Sequence, residues 1–256
     1  MSEPTLLITR PHDGVLQLTL NRPKALNAVD TELAQALADV LTAAASDAHV
    51  RVLVLTGAGE RAFSAGYDIR EMATMDANAM LGAALRRCPV IHALARHPKP
   101  VIAALNGLAH GVGALYAMAA DIRLASPGAQ FRVAATLHNA AEGAWQLPQL
   151  VGAACAKEIL MTGRVVCADE AVRIGLYHEI VAQDALLETA LAKARDIAAL
   201  PPLGVQWVKK LIDDNHGRTL DEQFHAEQLA LATVMPPANG LATFAAFLGK
   251  GDTPDA

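Results

Sequence analysis

The 256-residue sequence is poor in charged residues and in cysteine. Charged residues make up 18% of the chain and hydrophobic residues 53%, and a low charged fraction is typical of chains that bury surface against other subunits. The net charge is −5 without any cluster of lysine or arginine, which argues against a nucleic-acid partner. The cysteines are odd in number and lack metal-ligand spacing, so we expect buried or idle thiols in a reducing cytoplasm and no metal site; they are Cys88, Cys155 and Cys167.

Long hydrophobic runs are also missing. A membrane span needs roughly 18 uninterrupted apolar residues, and the longest candidate, residues 99–120, is interrupted by Asn106, Gly107 and His110. The N-terminal Met-Ser-Glu-Pro has neither the basic region nor the apolar core of an export signal. We therefore predict a cytoplasmic protein that does not associate with membranes.

A central segment, residues 99–125, has the pattern of a strand, a turn, a buried helix and a second strand. The apolar run Val101–Leu105 ends at Asn106-Gly107, a strong turn pair. Gly111-Val112-Gly113 precedes small apolar residues at 114–120, which predict a helix buried on all sides. The start of such a helix carries unpaired N–H groups and partial positive charge. It favours a negatively charged ligand, although the segment alone is equally consistent with a tightly packed turn that binds nothing.

Strand and helix patterns alternate along the chain up to about residue 183. We predict a hairpin over residues 6–20, a helix over 31–45 capped by Asp30, a strand over 52–56, a helix over 79–96, strands over 122–125 and 129–132, a loop over 134–148, helices over 150–161 and 168–174, and a strand over 178–181. Four helical patterns follow from residue 184, with no strand between them. These patterns alone indicate an α/β protein with a helical C-terminus.

Several motifs occur in a fixed order. Residues 56–72 contain Ala-Phe-Ser-Ala-Gly-Tyr-Asp-Ile, residues 106–113 read Asn-Gly-x-Ala-x-Gly-x-Gly, residues 21–28 read Asn-Arg-Pro-Lys-Ala-Leu-Asn-Ala, and residues 161–164 read Met-Thr-Gly-Arg. Each motif is weak alone, but the ordered set resembles the crotonase family, also called the enoyl-CoA hydratase/isomerase superfamily. The resemblance covers nearly the whole chain.

The resemblance implies a spiral of repeated β-β-α units with a C-terminal helical region. On this basis residues 1–183 form the spiral core that binds acyl-CoA, and residues 184–256 form a helical trimerisation region. The family assembles as homotrimers or dimers of trimers. Its substrates are acyl-CoA thioesters, so coenzyme A enters as part of the substrate and no separate cofactor is expected.

The family's shared chemistry implies an oxyanion hole. An enolate forms beside the thioester carbonyl, and donors aimed at that oxygen lower the barrier. The family's two donors are backbone N–H groups, which correspond here to Tyr67 and Val112. Since the backbone donates, Tyr and Val are acceptable where Ala and Gly are more usual.

The resemblance also places the contacts with the substrate. The positions that correspond to the CoA contacts, to the glycines of the oxyanion segments and to the acyl-end loop are Lys24, Ala25, Leu26, Ala65, Gly66, Asp68, Ile69, Gly111, His138, Phe247 and Lys250. For the two lysines, an ordinary solvated charge is the alternative. For the glycines, it is close packing without a ligand.

The catalytic positions depart from the hydratase pattern. Hydratases of the family use two glutamates to activate water, and those positions hold Leu115 and Ala135 here, neither of which can transfer a proton. Glu142, in the loop before Leu147, is the leading substitute, because some isomerases of the family keep a single carboxylate in that loop. The alternative is a solvated loop glutamate. Secondary candidates for proton transfer are His110, His138, Tyr67 and Tyr116.

Three interpretations follow from these residues. The first is an enoyl-CoA isomerase with Glu142 as the acid/base. The second is another enolate enzyme, a decarboxylase, a hydrolase or a hydratase-like variant. The third is an acyl-CoA-binding protein that has lost catalysis. Acyl chain length and pathway are not encoded in these motifs.

Overall fold

The computed structural model describes residues 3–234, apart from the side chains of residues 77, 84, 86 and 234. The strands are β1 (Leu6–His12), β2 (Gly14–Leu20), β3 (Val50–Gly57), β4 (Ala62–Ser64), β5 (Val101–Leu105), β6 (Leu108–His110), β7 (Ile122–Ala125), β8 (Gln130–Arg132), β9 (Val166–Cys167) and β10 (Glu179–Ile180). The helices are α1 (Thr31–Ser46), α2 (Ile69–Met72), α3 (Ala77–Ala95), α4 (Val112–Ala119), α5 (Leu147–Val151), α6 (Ala153–Thr162), α7 (Ala168–Arg173), α8 (Leu186–Ala198), α9 (Pro202–Asp214) and α10 (Leu220–Val234).

The strands form two sheets, and from β3 to β8 successive strands alternate between them. One sheet has the order β1-β2-β3-β5-β7-β10 and the other β4-β6-β8-β9. The pairs β3/β4, β5/β6 and β7/β8 each give one strand to each sheet, and helices follow each pair. Neighbouring turns pair in parallel, β3 with β5 and β5 with β7. The predicted α/β spiral of β-β-α units is confirmed.

The chain passes from one sheet to the other at the predicted turn pair Asn106-Gly107. The Asn106 amide donates to the carbonyl oxygens of Gly57 (2.9 Å) and Ala62 (3.2 Å) and accepts from the Gly57 N–H (3.2 Å). A Cβ atom on residue 107 would lie 2.3 Å from the carbonyl oxygen of Arg61, so only glycine fits there. This corner fixes where β6 begins, and therefore where α4 begins.

The predicted central helix is buried along its whole length. Every residue of α4 from Val112 to Ala119 is buried, and its small side chains pack in the main core with Phe63 and Phe131. Small residues allow the backbone of α4 to approach the four-stranded sheet closely. The first residue of α4, Val112, is therefore buried inside the protein.

The described residues fall into two compact units, one ending at Pro202 and the other beginning at Leu203. Helix α8 belongs to the first unit, where Ala190 and Ala194 share a core cluster with Val54 of β3. The sequence patterns grouped α8 with the C-terminal helices instead. The trimerisation role assigned to residues 184–256 stays a prediction. Among residues 3–234, no helix combines the length and the apolar character that a membrane span requires.

Candidate functional site

Two backbone segments that are far apart in sequence meet at Gly66 and Gly111. A Cβ atom on Gly111 would lie 3.4 Å from the Cα of Gly66, and a Cβ on Gly66 would lie 3.2 Å from the carbonyl oxygen of His110. Both glycines have positive φ, +106° at Gly66 and +51° at Gly111, a region that side chains strongly disfavour. The contact places the two predicted oxyanion donors, Tyr67 and Val112, on adjoining segments.

The N–H groups of Tyr67 and Val112 have no acceptor among the described residues. Val29 donates to the Gly66 carbonyl at 2.8 Å and accepts from the Asp68 N–H at 3.0 Å. Successive N–H groups of an extended chain point in opposite directions, so the Tyr67 N–H points away from Val29. Val112 is the first residue of α4, where helical N–H groups are unpaired. Two free N–H groups of this kind can stabilise an oxygen that gains negative charge.

The two predicted CoA-contact segments lie side by side. The Ala65 N–H donates to the carbonyl oxygen of Leu26 at 2.9 Å. The fully buried amide of Asn27 holds the loop by donating to the carbonyl oxygens of Ala58 (3.0 Å) and Ala62 (2.7 Å). Lys24 on this loop is exposed and free to meet a ligand from solvent.

A half-buried arginine that the sequence motifs did not single out links these two segments. Arg22 pairs with Asp30 at 3.1 Å and with Asp68 at 2.8 Å. Burial would raise the pKa of Asp68, but hydrogen bonds from Arg22 and from backbone N–H groups outweigh it and lower the pKa. Asp68 is therefore an ionised structural partner of Arg22. Ile69, beside it, is 79% exposed.

Tyr67 is also supported from α3. Arg87 is almost fully buried, and its guanidinium carbon lies 5.2 Å from the centroid of the Tyr67 ring, within cation–π range. The guanidinium donates to the Thr31 hydroxyl at 2.8 Å and pairs with the Glu71 carboxylate. Sequence reasoning missed Arg87, because nothing in a helical pattern marks which of its charged residues will be buried.

A cavity of about 320 Å³ lies beside Glu142. Ala135, one of the two residues predicted to correspond to the hydratase glutamates, lines the same cavity. The other such position, Leu115, is close as well, since a Cβ atom on Gly143 would lie 3.6 Å from its Cδ2. The remaining lining residues are mostly small and apolar: Val133, Thr136, Ala141, Ala144, Pro148, Ala153, Ala156, Lys157, Leu160 and Met161.

Glu142 is half-buried, and its surroundings favour the neutral acid. Burial raises the pKa of its carboxyl group, which moves the group toward the range where a carboxylate acts as a base near neutral pH. Burial, followed by the charges of Cys88 and Glu142, raises the pKa of Tyr67. The Tyr67 phenol therefore stays protonated near neutral pH.

The secondary candidates differ in their surroundings. His138 is exposed and is absent from the cavity lining, so its role at the acyl end stays a prediction. The hydroxyl of Tyr116 and the Nε2 of His110 are buried without a hydrogen-bond partner among the described residues. Burial, followed by the charge of Arg132, lowers the pKa of His110. Burial raises the pKa of Tyr116, so its phenol stays protonated.

Two predicted contacts, Phe247 and Lys250, lie outside the described residues. Within residues 3–234, no three His, Cys, Asp or Glu side chains cluster in a way that could hold a metal ion. The thiols were expected to be buried or idle; Cys88 and Cys167 are exposed and Cys155 is half-buried, so burial is wrong and idleness stays a prediction. The chemistry that the described part of the chain offers is therefore a pair of backbone donors, a carboxyl group and a mostly apolar cavity.

Comparison with known proteins gives matches that agree on one family. A family model described as enoyl-CoA hydratase/isomerase matches residues 10–253. The chain is 35% identical over 229 residues to the 1,2-epoxyphenylacetyl-CoA isomerase of Escherichia coli K12, covering 87% of each chain. It is 37% identical over 218 residues to the short-chain-enoyl-CoA hydratase of Clostridium acetobutylicum, covering 84% of this chain and 83% of that one. The crystal structure of an enoyl-CoA hydratase from Bacillus anthracis matches with a TM-score of 0.91 at 32% identity, covering 95% of both chains.

Proposed function

The chain belongs to the enoyl-CoA hydratase/isomerase family, and on that premise we propose that it is an enoyl-CoA isomerase with Glu142 as its single acid/base. The observation that carries the proposal is the composition of the cavity. Glu142 shares the cavity with Ala135, and Leu115 lies near the adjoining Gly143. Among the described lining residues Glu142 is the one carboxylate, whereas a hydratase would hold two glutamates at the positions assigned to Leu115 and Ala135. Relatives named as isomerases and as hydratases are both similar to this chain, which leaves the choice to the site residues.

A single carboxylate is sufficient for moving the double bond. The Glu142 carboxylate takes a proton from C2 of a 3-enoyl thioester, and the electrons of that C–H bond form the enolate. The N–H groups of Tyr67 and Val112 hold the enolate oxygen while its charge is highest. The enolate then collapses, the C3–C4 double bond takes the same proton from Glu142 at C4, and the product carries the double bond between C2 and C3.

The test of this proposal is turnover of a 3-enoyl-CoA, followed by the absorbance of the conjugated 2-enoyl product. Formation of the 2-enoyl thioester without water addition supports isomerisation. Tight binding of acyl-CoA without turnover of any enoyl-CoA supports the binding-protein alternative instead. Loss of carbon dioxide or of free CoA from suitable thioesters would favour the decarboxylase or hydrolase alternative.

Hydration of crotonyl-CoA is expected to be slow. Positioning and activating a water requires the paired carboxylates, and Leu115 and Ala135 offer neither a base nor a hydrogen-bond acceptor to that water. The rate of loss of the enoyl absorbance, measured beside a family hydratase that has both glutamates, checks this expectation. A comparable rate in the two enzymes would show that other groups activate the water and that the two positions are misassigned.

We also propose that the protein assembles as a homotrimer or as two stacked trimers. The low charged fraction supports this assembly, and so do the large apolar side chains that α9 and α10 leave exposed in a single chain, which include Leu203, Ile212, Leu220, Phe224 and Leu229. Light scattering at micromolar concentration is expected to give three or six times the 26.8 kDa of one chain. A monomeric mass would contradict the proposal.

A further inference from the structure

One face of α6 lines the cavity, and that face contains a lysine. Ala153, Ala156, Lys157, Leu160 and Met161 follow the three- and four-residue spacing of a single helix face. Four of these side chains are apolar, as expected for a face turned toward a cavity. Lys157 lines the cavity and is exposed, so it lies at the mouth, where the cavity opens to solvent.

The ammonium group of Lys157 has no carboxylate partner among the described residues. Glu142 is the other charged residue of the described lining. Burial alone raises the pKa of its carboxyl group, and no ion pair joins it to Lys157. The described lining therefore combines one carboxyl group, one cation without a carboxylate partner, and mostly small apolar side chains.

The size of the cavity limits what can fill it. Its volume of about 320 Å³ is roughly twice that of the cavity of about 150 Å³ that holds a benzene molecule in another protein. A crotonyl group would leave most of this volume empty. An acyl group with a longer chain, or with a ring and a short chain, would fill it.

We propose that the preferred substrates are thioesters of dicarboxylic acids, whose acyl group fills this cavity and whose second carboxylate pairs with Lys157 at the mouth. This rests on the proposed function only in assigning the cavity to the acyl group. A charge at the mouth stays partly hydrated, so a carboxylate there avoids the cost of full burial. A methyl group at the same place would lie against a cation and water.

The experiment measures equilibrium binding of two saturated thioesters, octanoyl-CoA and octanedioyl-CoA, which differ at the far end of the acyl chain. Neither has a double bond to isomerise, so binding is observed without turnover. In the wild-type protein, octanedioyl-CoA is expected to bind more tightly. Lys157→Met keeps the stem and removes the charge, and it is expected to reduce this preference by up to about fivefold, the upper range for an exposed ion pair. Lys157→Glu is expected to reverse the preference.

Lys24→Met is the matched control, because it removes a cation from the predicted CoA loop and leaves the acyl end unchanged. It is expected to affect both thioesters equally. Added salt should weaken the preference in the wild type and leave Lys157→Met unchanged. The same preference in wild type and Lys157→Met would overturn the proposal. A loss of preference in Lys24→Met as large as that in Lys157→Met would also overturn it, as would a wild-type protein that binds neither thioester.

The proposed function can fail separately from this inference. Selective binding of octanedioyl-CoA without turnover of any 3-enoyl-CoA would reject the isomerase assignment but support the site at Lys157 for the second carboxylate of the substrate. Turnover of a 3-enoyl-CoA by a protein that shows no preference between the two probes would reject only the site at Lys157.

Discussion

Glu142→Gln is expected to slow the isomerisation of a 3-enoyl-CoA by roughly 10²–10⁴-fold, the range that general acid–base catalysis contributes. Glutamine keeps the size and shape of the side chain but cannot accept the proton from C2. Binding of a saturated acyl-CoA is expected to be nearly unchanged, because the Tyr67 and Val112 N–H groups and the CoA loop remain in place. The loss should therefore appear in kcat, with little change in the dissociation constant of the saturated thioester.

The pH dependence gives a second measurement of the same group. The base must be ionised to work, and burial raises the pKa of Glu142. Wild-type kcat/KM is therefore expected to fall on acidification at a pH above the ordinary range of a glutamate, about 4.3. If kcat/KM falls only near the ordinary pKa of a glutamate, or if the same fall persists in Glu142→Gln, the titration belongs to another group.

His138→Ala is the matched control for the Glu142 variant. His138 lies in the same loop region but is exposed and outside the cavity lining, so its removal is expected to leave turnover nearly intact. If His138→Ala abolishes turnover while Glu142→Gln retains it, the histidine carries the proton and the isomerase proposal is wrong in its central residue.

The Glu142→Gln substitution is also expected to make the folded protein slightly more stable at neutral pH. A carboxyl group whose pKa is raised by folding favours the folded state when protonated, and that contribution is lost as the pH rises through the raised pKa. At neutral pH the Glu142 charge therefore opposes folding, and glutamine removes it. Thermal unfolding should show that Glu142→Gln raises the melting temperature more near neutral pH than in mild acid.

Gly113→Ala is expected to have the second largest effect, on stability and activity together. A Cβ atom there would lie 2.5 Å from the carbonyl oxygen of Ser64 in β4, which real structures do not tolerate. Inserting a methyl group into such a contact typically costs about 1–3 kcal/mol. To relieve this clash, the start of α4 must move away from β4. Helix α4 begins at Val112, and β4 ends three residues before Tyr67, so the move would separate the two predicted donors. A displacement of about 1 Å between catalytic groups can cost roughly 100-fold in rate.

Gly128→Ala is the control for that substitution. Gly128 has ordinary φ, and beyond its chain neighbours no atom lies within 4 Å of the position that an added Cβ would take. Alanine is therefore expected to leave the melting temperature and the turnover unchanged. Wild-type melting temperature and wild-type turnover in Gly113→Ala would show that β4 and α4 have more freedom than their contact suggests. They would also weaken the assignment of Val112 as a donor.

Most of the elements and the family could be predicted from the sequence. Strand β5 begins and ends where its apolar run does, and Asp30 caps α1 by accepting the Leu33 N–H at 2.8 Å. The Asn106-Gly107 turn and the buried helix α4 were also evident. These features depend on local rules, namely the spacing of apolar residues, capping and turn chemistry, which act within a few positions of the chain. The assignment of Leu115 and Ala135 to the two hydratase glutamate positions rests on the motifs and stays a prediction.

The tertiary structure decides which side chains come together around the candidate site and its cavity. Arg22 joins Asp30 to Asp68, and Arg87 lies over Tyr67, although no local pattern connects these residues. The cavity is built from residues 133–144 and from one face of α6, with Lys157 at its mouth. Each turn of the spiral adds a strand beside the previous one, so residues separated by tens of positions become neighbours through sheet register and helix packing. That register arises from long-range pairing and burial, which no single segment encodes.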